Sequence, residues 1–385
     1  MAPTTVFPSL RAAVRPEDYG PIGQGADGAA INAAISAVAN STALGDVFLS
    51  QAYNLEQPVV LQTGVNLLGT GQGNRQNYPD TFLGGVLQPS GSFPASTPLV
   101  RAGSAGSPTT NPCGARIRGV CFNGMTAAAV TVTGCTGLAV ADTSDLHVLD
   151  SFFGNFDRTG STGTCISLSS ATAGNGYGFQ MHNTVLSASS WGLYADGAGT
   201  TDMRITGNLF HSNNYGATIG PTAGGGGLQL NANHWVYTGA GSGMYHLSMG
   251  SQSGDYAITG EYWDKGGAAN VVVLLATAKG IFSNCHFLAS GSSTATSLVK
   301  LSTANQEISF SGNNCNLNGG SIKALFQTSA HSGTPTGGIY VGNSLYGSYG
   351  TAPTAVLIDS GASAINDFTT AGTGNCYVAG NRVFT

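Results

Sequence analysis

The chain has 385 residues, of which only 8% are charged and 58 are glycine. Its 13 basic and 18 acidic residues give a formal net charge of −5 without the basic stripe that neutralises phosphates, so the composition disfavours nucleic-acid binding. No apolar run reaches the length of a transmembrane helix, and no basic region followed by a long apolar run near Met1 marks a secretory signal. We therefore expect that the protein does not insert into a membrane. If it is released from a cell, we expect a route such as lysis.

Metal and cofactor chemistry has no signature in the sequence. The seven cysteines form no CxxC pair, no His/Cys cluster has zinc spacing, and no calcium cluster of several aspartates occurs. An odd number also excludes a fully paired set of intrachain disulfides. Cys285 and Cys315 are expected to be small buried core residues. We expect no metal and no cofactor.

The N-terminal part of the chain divides into two segments. Residues 1–17 have no periodicity and are interpreted as an arm for attachment. Residues 18–44 are interpreted as a capping segment with one short helix, because Ile31, Ile35 and Val38 recur at helical spacing and Asp27 stands where an N-cap belongs. Since the open end of a solenoid exposes strand edges and core, we expect this helix to cover it.

A nine-residue pattern, DMRITGNLF at 202–210, recurs ten times between residue 114 and the C-terminus at intervals of 24 to 38 residues. Such a period is typical of solenoids. The copies occupy 114–122, 145–153, 178–186, 202–210, 227–235, 255–263, 279–287, 307–315, 337–345 and 375–383. Between them, segments that start at Trp191, Tyr215 and Met244 are predicted to supply a third strand to each coil. Residues 84–112 are predicted to be irregular, and 356–358 to form a strand.

The columns of the repeat identify the kind of solenoid. One column is apolar in all ten copies, as at Ile117 and Ile205, and its neighbours indicate a period of two, which is typical of strands. A column that is usually glycine precedes one with five asparagines, and this pair bends one strand into the next. The asparagines are Asn208, Asn233, Asn313, Asn343 and Asn381. Stacked coils would place them roughly 4.8 Å apart, close enough for a ladder of side-chain amides. For residues 45–385 the sequence therefore predicts an all-β fold, a single-stranded right-handed parallel β-helix of about ten or more coils.

The N-terminal segment carries a more specific resemblance. The sequence DYG…GADGAAINAAISAV from Asp18, followed by VFLSQAYNLEQPVVLQTGVNLLGTG from Val47, resembles the N-terminal signature of the pectate-lyase-like β-helix superfamily. That superfamily includes polysaccharide-degrading enzymes and bacteriophage tailspikes. The resemblance covers residues 18–73 directly, and the repeats extend it to the C-terminus. It is closest in kind to tailspike and tail receptor-binding proteins. It implies a homotrimer in a phage tail that binds a cell-surface polysaccharide. It also implies assembly in the host cytoplasm and attachment to other tail proteins through the N-terminal arm.

Two other functions stay open at this stage, a polysaccharide depolymerase on the same fold and a structural virion component without a ligand. A glycoside hydrolase needs two carboxylates about 5 to 9.5 Å apart. The first column of the repeat holds Asp145, Asp202, Asp255 and Glu307, and alternate coils would place neighbours roughly 9.6 Å apart. A turn position explains the same residues without any function.

The strongest concentration of candidate groups lies in the copy TGEYWDKGG. Glu261 occupies the asparagine column and would act as a general acid if burial raised its pKa, or else would only belong to the ladder. Asp264 follows in the same strand. The candidate catalytic residues are thus Asp202, Asp255, Glu261 and Asp264, a hydrolase being favoured over a lyase.

Candidate binding residues come from two outward columns. His234, Tyr262 and His286 share one column and are expected to stack on an exposed face, either as sugar contacts or simply as stacked rings. Arg204 belongs to another column, which becomes apolar toward Ile339 and Tyr377. That apolar strip is interpreted either as a subunit interface or as a surface covered by loops of the same chain.

Overall fold

The protein is a right-handed parallel β-helix in which each complete coil contributes one strand to each of three sheets. The computed structural model describes residues 12–42, 45–70, 84–103, 114–160, 162–169, 176–197, 200–220, 227–237, 245–250, 255–265, 273–275, 279–290, 297–301, 307–319, 321–327, 338–348, 353, 355–358, 364 and 376–384. The strand pairs within the three sheets are parallel, as the sequence predicts.

Within the described residues, sheet 1 has thirteen strands and contains the first half of each repeat copy. Its strands are Ala12–Val14, Gly45–Leu49, Val65–Gly69, Arg116–Arg118, His147–Leu149, Gln180–His182, Arg204–Thr206, Leu228–Asn231, Tyr256–Thr259, Lys279–Ser283, Glu307–Ser311, Gly338–Val341 and Cys376–Ala379.

Sheet 2, over the ranges that the structure describes, has twelve strands and contains the second half of each copy. Its strands are Ala52–Leu55, Val86–Pro89, Cys121–Asn123, Phe152–Gly154, Val185–Ser187, Leu209–His211, His234–Tyr237, Tyr262–Lys265, His286–Ser290, Asn314–Asn318, Ser344–Ser348 and Arg382–Val383.

In the described part of the chain sheet 3 has eleven strands and includes the third-strand segments predicted between the copies. Its strands are Val59–Leu61, Pro98–Ala102, Thr136–Ala141, Thr164–Ser169, Trp191–Asp196, Tyr215–Ile219, Tyr245–Met249, Val273–Leu275, Ser297–Leu301, Ala324–Gln327 and Leu357–Ile358. A separate pair, Gly176–Tyr177 and Thr200–Thr201, joins two neighbouring coils outside the three sheets.

In the repeat copies, the sharp turn from sheet 1 to sheet 2 depends on one left-handed residue. In every repeat copy the sixth residue has a positive φ, between 48° and 66°. These residues are Gly119, Asp150, Asn183, Gly207, Ala232, Gly260, Asn284, Gly312, Gly342 and Gly380. Glycine, asparagine and aspartate tolerate this conformation best, which explains nine of the ten.

The asparagine ladder is confirmed at the next position. The backbone and side-chain N–H groups of Asn208 both donate to Asn233 Oδ1 at 2.9 Å, and Asn313 repeats the arrangement with Asn343 at 3.0 and 2.9 Å. The amide also donates to a backbone carbonyl of the preceding coil, as from Asn208 to Met181. The ladder therefore satisfies buried backbone groups at the turn.

The core consists of stacked apolar rows. Trp235, Trp263 and Phe210 are buried, and the ring of Trp235 stacks on Phe210 at 3.9 Å and on Trp263 at 4.8 Å between centroids. Cys285 and Cys315 are fully buried, as predicted. Stacking of like residues on successive coils provides the packing that the repeat predicts.

The capping helix spans Asp27–Thr42 and lies over the first coils, where its apolar face, including Ile31 and Ile35, joins the common core. Asp27 is not its N-cap. The Asp27 carboxylate instead accepts hydrogen bonds from the backbone N–H groups of Gly23 and Asn54, both at 2.7 Å. The helix N-terminus is capped by Glu56, which accepts from the first-turn N–H groups of Gly28 and Ala29.

Two other boundaries differ from expectation. Part of the predicted arm, Ala12–Val14, is a strand at the edge of sheet 1 and precedes the 3₁₀ helix Pro16–Asp18; residues 1–11 lie outside the described residues. The stretch predicted to be irregular, 84–112, contains the regular strands Val86–Pro89 and Pro98–Ala102. Pro, Ser and Gly in this stretch therefore mark turns between coils. No helix among the described residues is long and apolar enough to span a membrane.

Candidate functional site

The predicted site residues separate onto two faces of the β-helix. Asp202, Arg204 and Asp255 are exposed on the side of sheet 1. Asp202 has a φ of 54°, and Asp145 in the same column has the same value, so both occupy left-handed turn positions for which aspartate is well suited. The turn interpretation thus accounts for these two aspartates, and their carboxylates remain open to solvent.

Glu261 is buried inside the asparagine ladder, with 1% of its surface exposed. Its Oε1 accepts hydrogen bonds from the backbone N–H and side-chain amide of Asn233 at 3.2 and 3.0 Å, and its Oε2 accepts from Trp235 Nε1 at 2.5 Å. Desolvation raises the pKa of Glu261 to about 8, although these three hydrogen bonds oppose the change. The carboxyl therefore replaces an asparagine amide in the ladder and faces the core.

The predicted ring column forms a row on the outer face of sheet 2, which we call the ring row: His234, Tyr262 and His286. The ring of Tyr262 meets His234 edge-on at 4.7 Å and stacks on His286 at 5.0 Å between centroids. His286 Nδ1 is hydrogen-bonded to Asn314 Oδ1. The predicted stacking is present between Tyr262 and His286, whereas His234, the exposed end of the row, makes an edge-on contact instead.

Asp264 lies on the same outer face as the ring row, two residues beyond Tyr262 in the strand. Partial burial raises the pKa of Asp264, and the neighbouring His234 opposes this change. Desolvation lowers the pKa of His234, and His211 lowers it further, whereas Asp264 opposes this change. His211, which is not among the residues that the sequence pattern indicated, occupies the same outward position as Asp264 two coils earlier. A carboxyl and two imidazoles are thus close enough to interact electrostatically.

Sheet 3 carries a cluster that the sequence analysis did not single out. We call it the aromatic platform: Trp191, Tyr194, Tyr215 and Tyr245, all partly exposed. Trp191 stacks on Tyr215 at 5.3 Å and meets Tyr194 edge-on at 5.9 Å, while Tyr215 lies 4.9 Å from Tyr245 between ring centroids. Three of these residues, Trp191, Tyr215 and Tyr245, are aligned in register on successive strands.

Polar groups surround the aromatic platform. Thr218 Oγ1 and the Tyr245 hydroxyl are 2.9 Å apart and share a hydrogen bond. Partial burial is the main cause that raises the pKa of the Tyr194 hydroxyl, and the nearby Asp196 and Tyr245 raise it further. Asp196 Oδ1 accepts the backbone N–H of Gly197 at 2.8 Å. The platform thus combines apolar ring surface with hydroxyls and one nearby carboxylate.

Such a surface is chemically suited to binding. Large rigid rings bury apolar area at low entropic cost, and tyrosine hydroxyls add hydrogen bonds at the edge. Within the described residues no group of three His, Cys, Asp or Glu side chains could hold a metal ion. The described polar groups of this surface are hydroxyls and carboxylates, which complement a hydroxylated ligand.

Solved structures share this fold. The crystal structure of DFA-IIIase from Arthrobacter chlorophenolicus A6 in complex with DFA-III aligns with a TM-score of 0.65 at 15% identity, over 95% of this chain and 94% of that one. The A-module of the Azotobacter vinelandii mannuronan C-5 epimerase AlgE6 aligns with a TM-score of 0.62 at 15% identity, over 96% and 93% of the two chains. No protein-family model matches the sequence, and no curated protein matches it.

These similarities establish the architecture along almost the whole chain. They agree with the parallel β-helix expected from the resemblance of residues 18–73. At 15% identity they transfer the fold alone. The function therefore has to be argued from the faces of this chain.

Proposed function

We propose that the protein binds a polysaccharide on the outer face of sheet 3, and that the ligand is a cell-surface glycan. The observation that carries this proposal is the aromatic platform of Trp191, Tyr194, Tyr215 and Tyr245. Sugars have apolar C–H faces and a rim of hydroxyls, and the platform offers ring surface and hydroxyls in one place. The rings recur at the spacing of the coils, roughly 4.8 Å, so a polymer along the axis would meet an equivalent group on each coil.

The fold similarity is compatible with this ligand class. One protein that shares the fold is a mannuronan C-5 epimerase, an enzyme named for a polysaccharide substrate. The setting that we propose is a phage tail, with a homotrimer attached to other tail proteins through the N-terminal arm. Support for the setting comes from the resemblance of residues 18–73 to the N-terminal signature of a superfamily that includes bacteriophage tailspikes. Support for the trimer comes from the apolar strip of sheet 1, where Ile339 and Tyr377 are about half exposed in the single chain.

Affinity electrophoresis tests the binding proposal. The wild-type protein should be retarded in gels that contain bacterial capsular or lipopolysaccharide O-chain polysaccharide. Trp191→Ala should weaken the retardation about tenfold, since loss of roughly 1.4 kcal/mol of contact corresponds to that factor. Tyr19→Ala removes an exposed ring of the N-terminal segment, away from the platform and the apolar strip, and is the matched control. Equal retardation of Trp191→Ala and wild type on every retarding polysaccharide would rule out the platform as the site. No retardation of the wild type would favour the structural role without a ligand.

Light scattering tests the trimer separately. A homotrimer would have about three times the mass of the 38.8 kDa chain, and Ile339→Asp should convert it to a monomer because a carboxylate would then be buried without a partner. A monomeric wild type would contradict the trimer but not the glycan site.

A second candidate function, cleavage of the glycan, is favoured by Asp264 and its neighbour His234. The raised pKa of Asp264 is the direction that a general acid needs near neutral pH. Incubation with a polysaccharide that binds, followed by assays for new reducing ends and for unsaturated products, separates hydrolase, lyase and passive binder. An enzyme should lose turnover in Asp264→Asn and keep it in Glu307→Gln. The exposed Asp202 and Asp255 are the next carboxylates to replace if Asp264→Asn stays active.

A further inference from the structure

A groove of about 600 Å³ crosses three successive coils on the side of sheet 1. Its polar lining comes from Gln229, Asp255 and Lys279, and its apolar lining includes Ala257 and Ile281. The volume falls within the range of pockets that hold small molecules. The residues of the aromatic platform and of the ring row are not among the lining residues, because those clusters belong to sheets 3 and 2.

Two glycines create the space. Gly227 stands in the column that holds aspartate in the flanking copies, so the groove is free of a side chain there; a Cβ at this position would lie 2.2 Å from Asp202 Oδ1. Gly280 lets the ring of Tyr256 lie against the neighbouring backbone, since a Cβ there would lie 2.8 Å from two ring carbons. Larger residues at 227 and 280 would therefore fill the groove or displace its walls.

The chemistry of the lining selects a class of ligand. Asp255 carries a negative charge and Lys279 a positive one on adjacent coils, so the net charge of the lining favours neither anions nor cations. A carboxylate, an ammonium and the Gln229 amide together offer acceptors and donors in a small space. Ile281, half exposed, adds an apolar surface beside them. A neutral ligand with several hydroxyls and an apolar face matches all of these groups.

We propose that this groove is a second saccharide site, which takes a neutral sugar of one or two rings between Gln229, Asp255, Lys279 and Ile281. The proposal does not depend on the polysaccharide site of sheet 3, because the two sites share no residue. A chain with both sites could hold a branch or an end of a glycan at one face while another face binds the polymer.

The test is methyl NMR of protein labelled with ¹³C at the isoleucine δ1 methyl groups. Ile281→Val assigns the Ile281 signal. Glucose, galactose, mannose, rhamnose, N-acetylglucosamine and their common disaccharides are then titrated one at a time, with glutamate and lysine as charged comparators. At least one sugar should shift the Ile281 signal saturably, and the two amino acids should not.

Steric variants locate the effect. Ala257→Trp fills the groove from the strand between Gln229 and Ile281 and should abolish the change in the Ile281 signal. Gln180→Trp places the same ring in the same outward column two coils before Gln229 and should leave that change intact. If Ala257→Trp does not fold, Gln229→Trp replaces it, because residue 229 is exposed and lines the same groove.

The outcomes decide between the two sites. Trp191→Ala should leave the response of the Ile281 signal intact even where it abolishes retention on polysaccharide. The groove is overturned as a saccharide site if no sugar shifts the Ile281 signal up to its solubility. It is also overturned if the response survives in both Ala257→Trp and Gln229→Trp, or if only glutamate or lysine produces it.

Discussion

Replacing Glu261 with glutamine should destabilise the protein at acidic pH and stabilise it at alkaline pH. In the wild type the carboxyl accepts three hydrogen bonds from Asn233 and Trp235 in a site that is 1% exposed. Glutamine keeps one carbonyl oxygen but directs its NH₂ toward a donor. At acidic pH Glu261→Gln should therefore lower the free energy of unfolding by about 1 to 3 kcal/mol, the cost of a buried unsatisfied group.

At alkaline pH the sign changes, because burial raises the pKa of Glu261 from its ordinary value of 4.5 to about 8 in the folded chain. The folded state then binds the proton more tightly than the unfolded state. The stability contributed by the neutral carboxyl is fully present below pH 4.5 and is lost as the pH rises through 8. A difference of one between the folded and unfolded pKa values corresponds to about 1.4 kcal/mol, so the complete loss is about 5 kcal/mol. Since glutamine does not titrate, Glu261→Gln should be the more stable protein above about pH 8 by about 2 to 4 kcal/mol.

Urea unfolding at pH 5, 7 and 9 measures this crossover. Asp255→Asn removes an exposed carboxylate and controls for the loss of a carboxyl group as such. The quantity to compare is the difference between wild type and variant at each pH, since other groups also contribute to the wild-type profile. A Glu261→Gln profile parallel to that of the wild type from pH 5 to 9 would refute the linkage between burial of Glu261 and stability.

Three further predictions concern the scaffold and use denaturant or thermal midpoints. Cys285→Asn should stabilise the protein by about 1 kcal/mol, because an amide at this position continues the ladder toward Asn313. Cys315→Asn should destabilise it by about 2 kcal/mol or more, because it buries an amide in the core. Midpoints of the two variants that move in the same direction would contradict this distinction. Gly260→Ala should lower the free energy of unfolding by about 1 kcal/mol, because residue 260 has a φ of 64°. Ala232→Gly should raise it by roughly 0.5 kcal/mol, because residue 232 has a φ of 53°. Equal effects of the two variants would argue against strain at the turn. Glu56→Ala should lower stability by about 1 kcal/mol by uncapping the helix, and an unchanged midpoint would show that water caps it equally well.

The fold was predictable because the β-helix repeats its local requirements on every coil. A left-handed residue is needed at each sheet 1 to sheet 2 turn, and the Gly207-Asn208 pair shows the residue types that supply it and that continue the ladder. Ten copies make such a pattern visible without any alignment. The N-cap of the helix was not predictable in the same way, because Glu56 reaches it from a strand region 28 residues from Gly28 in the chain. Local spacing favoured Asp27, whose carboxylate instead joins Gly23 to Asn54.

The candidate site was predictable only in part. The ring row lies within the repeat, so the column of His234, Tyr262 and His286 could be read directly, and the stacking follows from the register. The aromatic platform lies in sheet 3, whose strands follow the repeat copies at varying distances and share no nine-residue pattern. Its signal was the aromatic residue at the start of the segments from Trp191 and Tyr215, followed in both by glycine. That signal becomes specific only when the pairing aligns the two rings.

Folding depends mainly on the inward side chains of the sheets, whereas binding depends on the outward ones. At the turn from sheet 1 to sheet 2 the inward side chains satisfy backbone groups, which is why Glu261, the most strongly buried carboxyl candidate, belongs to the scaffold by its contacts. A charge or ring on an outward column contacts only the neighbouring coils and solvent, so it can change without disturbing the core. Variants of Trp191 and of Ala257 should therefore affect ligands at two separate faces while changing the free energy of unfolding by no more than about 1.5 kcal/mol, the scale of one ring contact with a neighbouring coil. A loss of both binding and stability in either variant would show that the outward columns are also part of the packing.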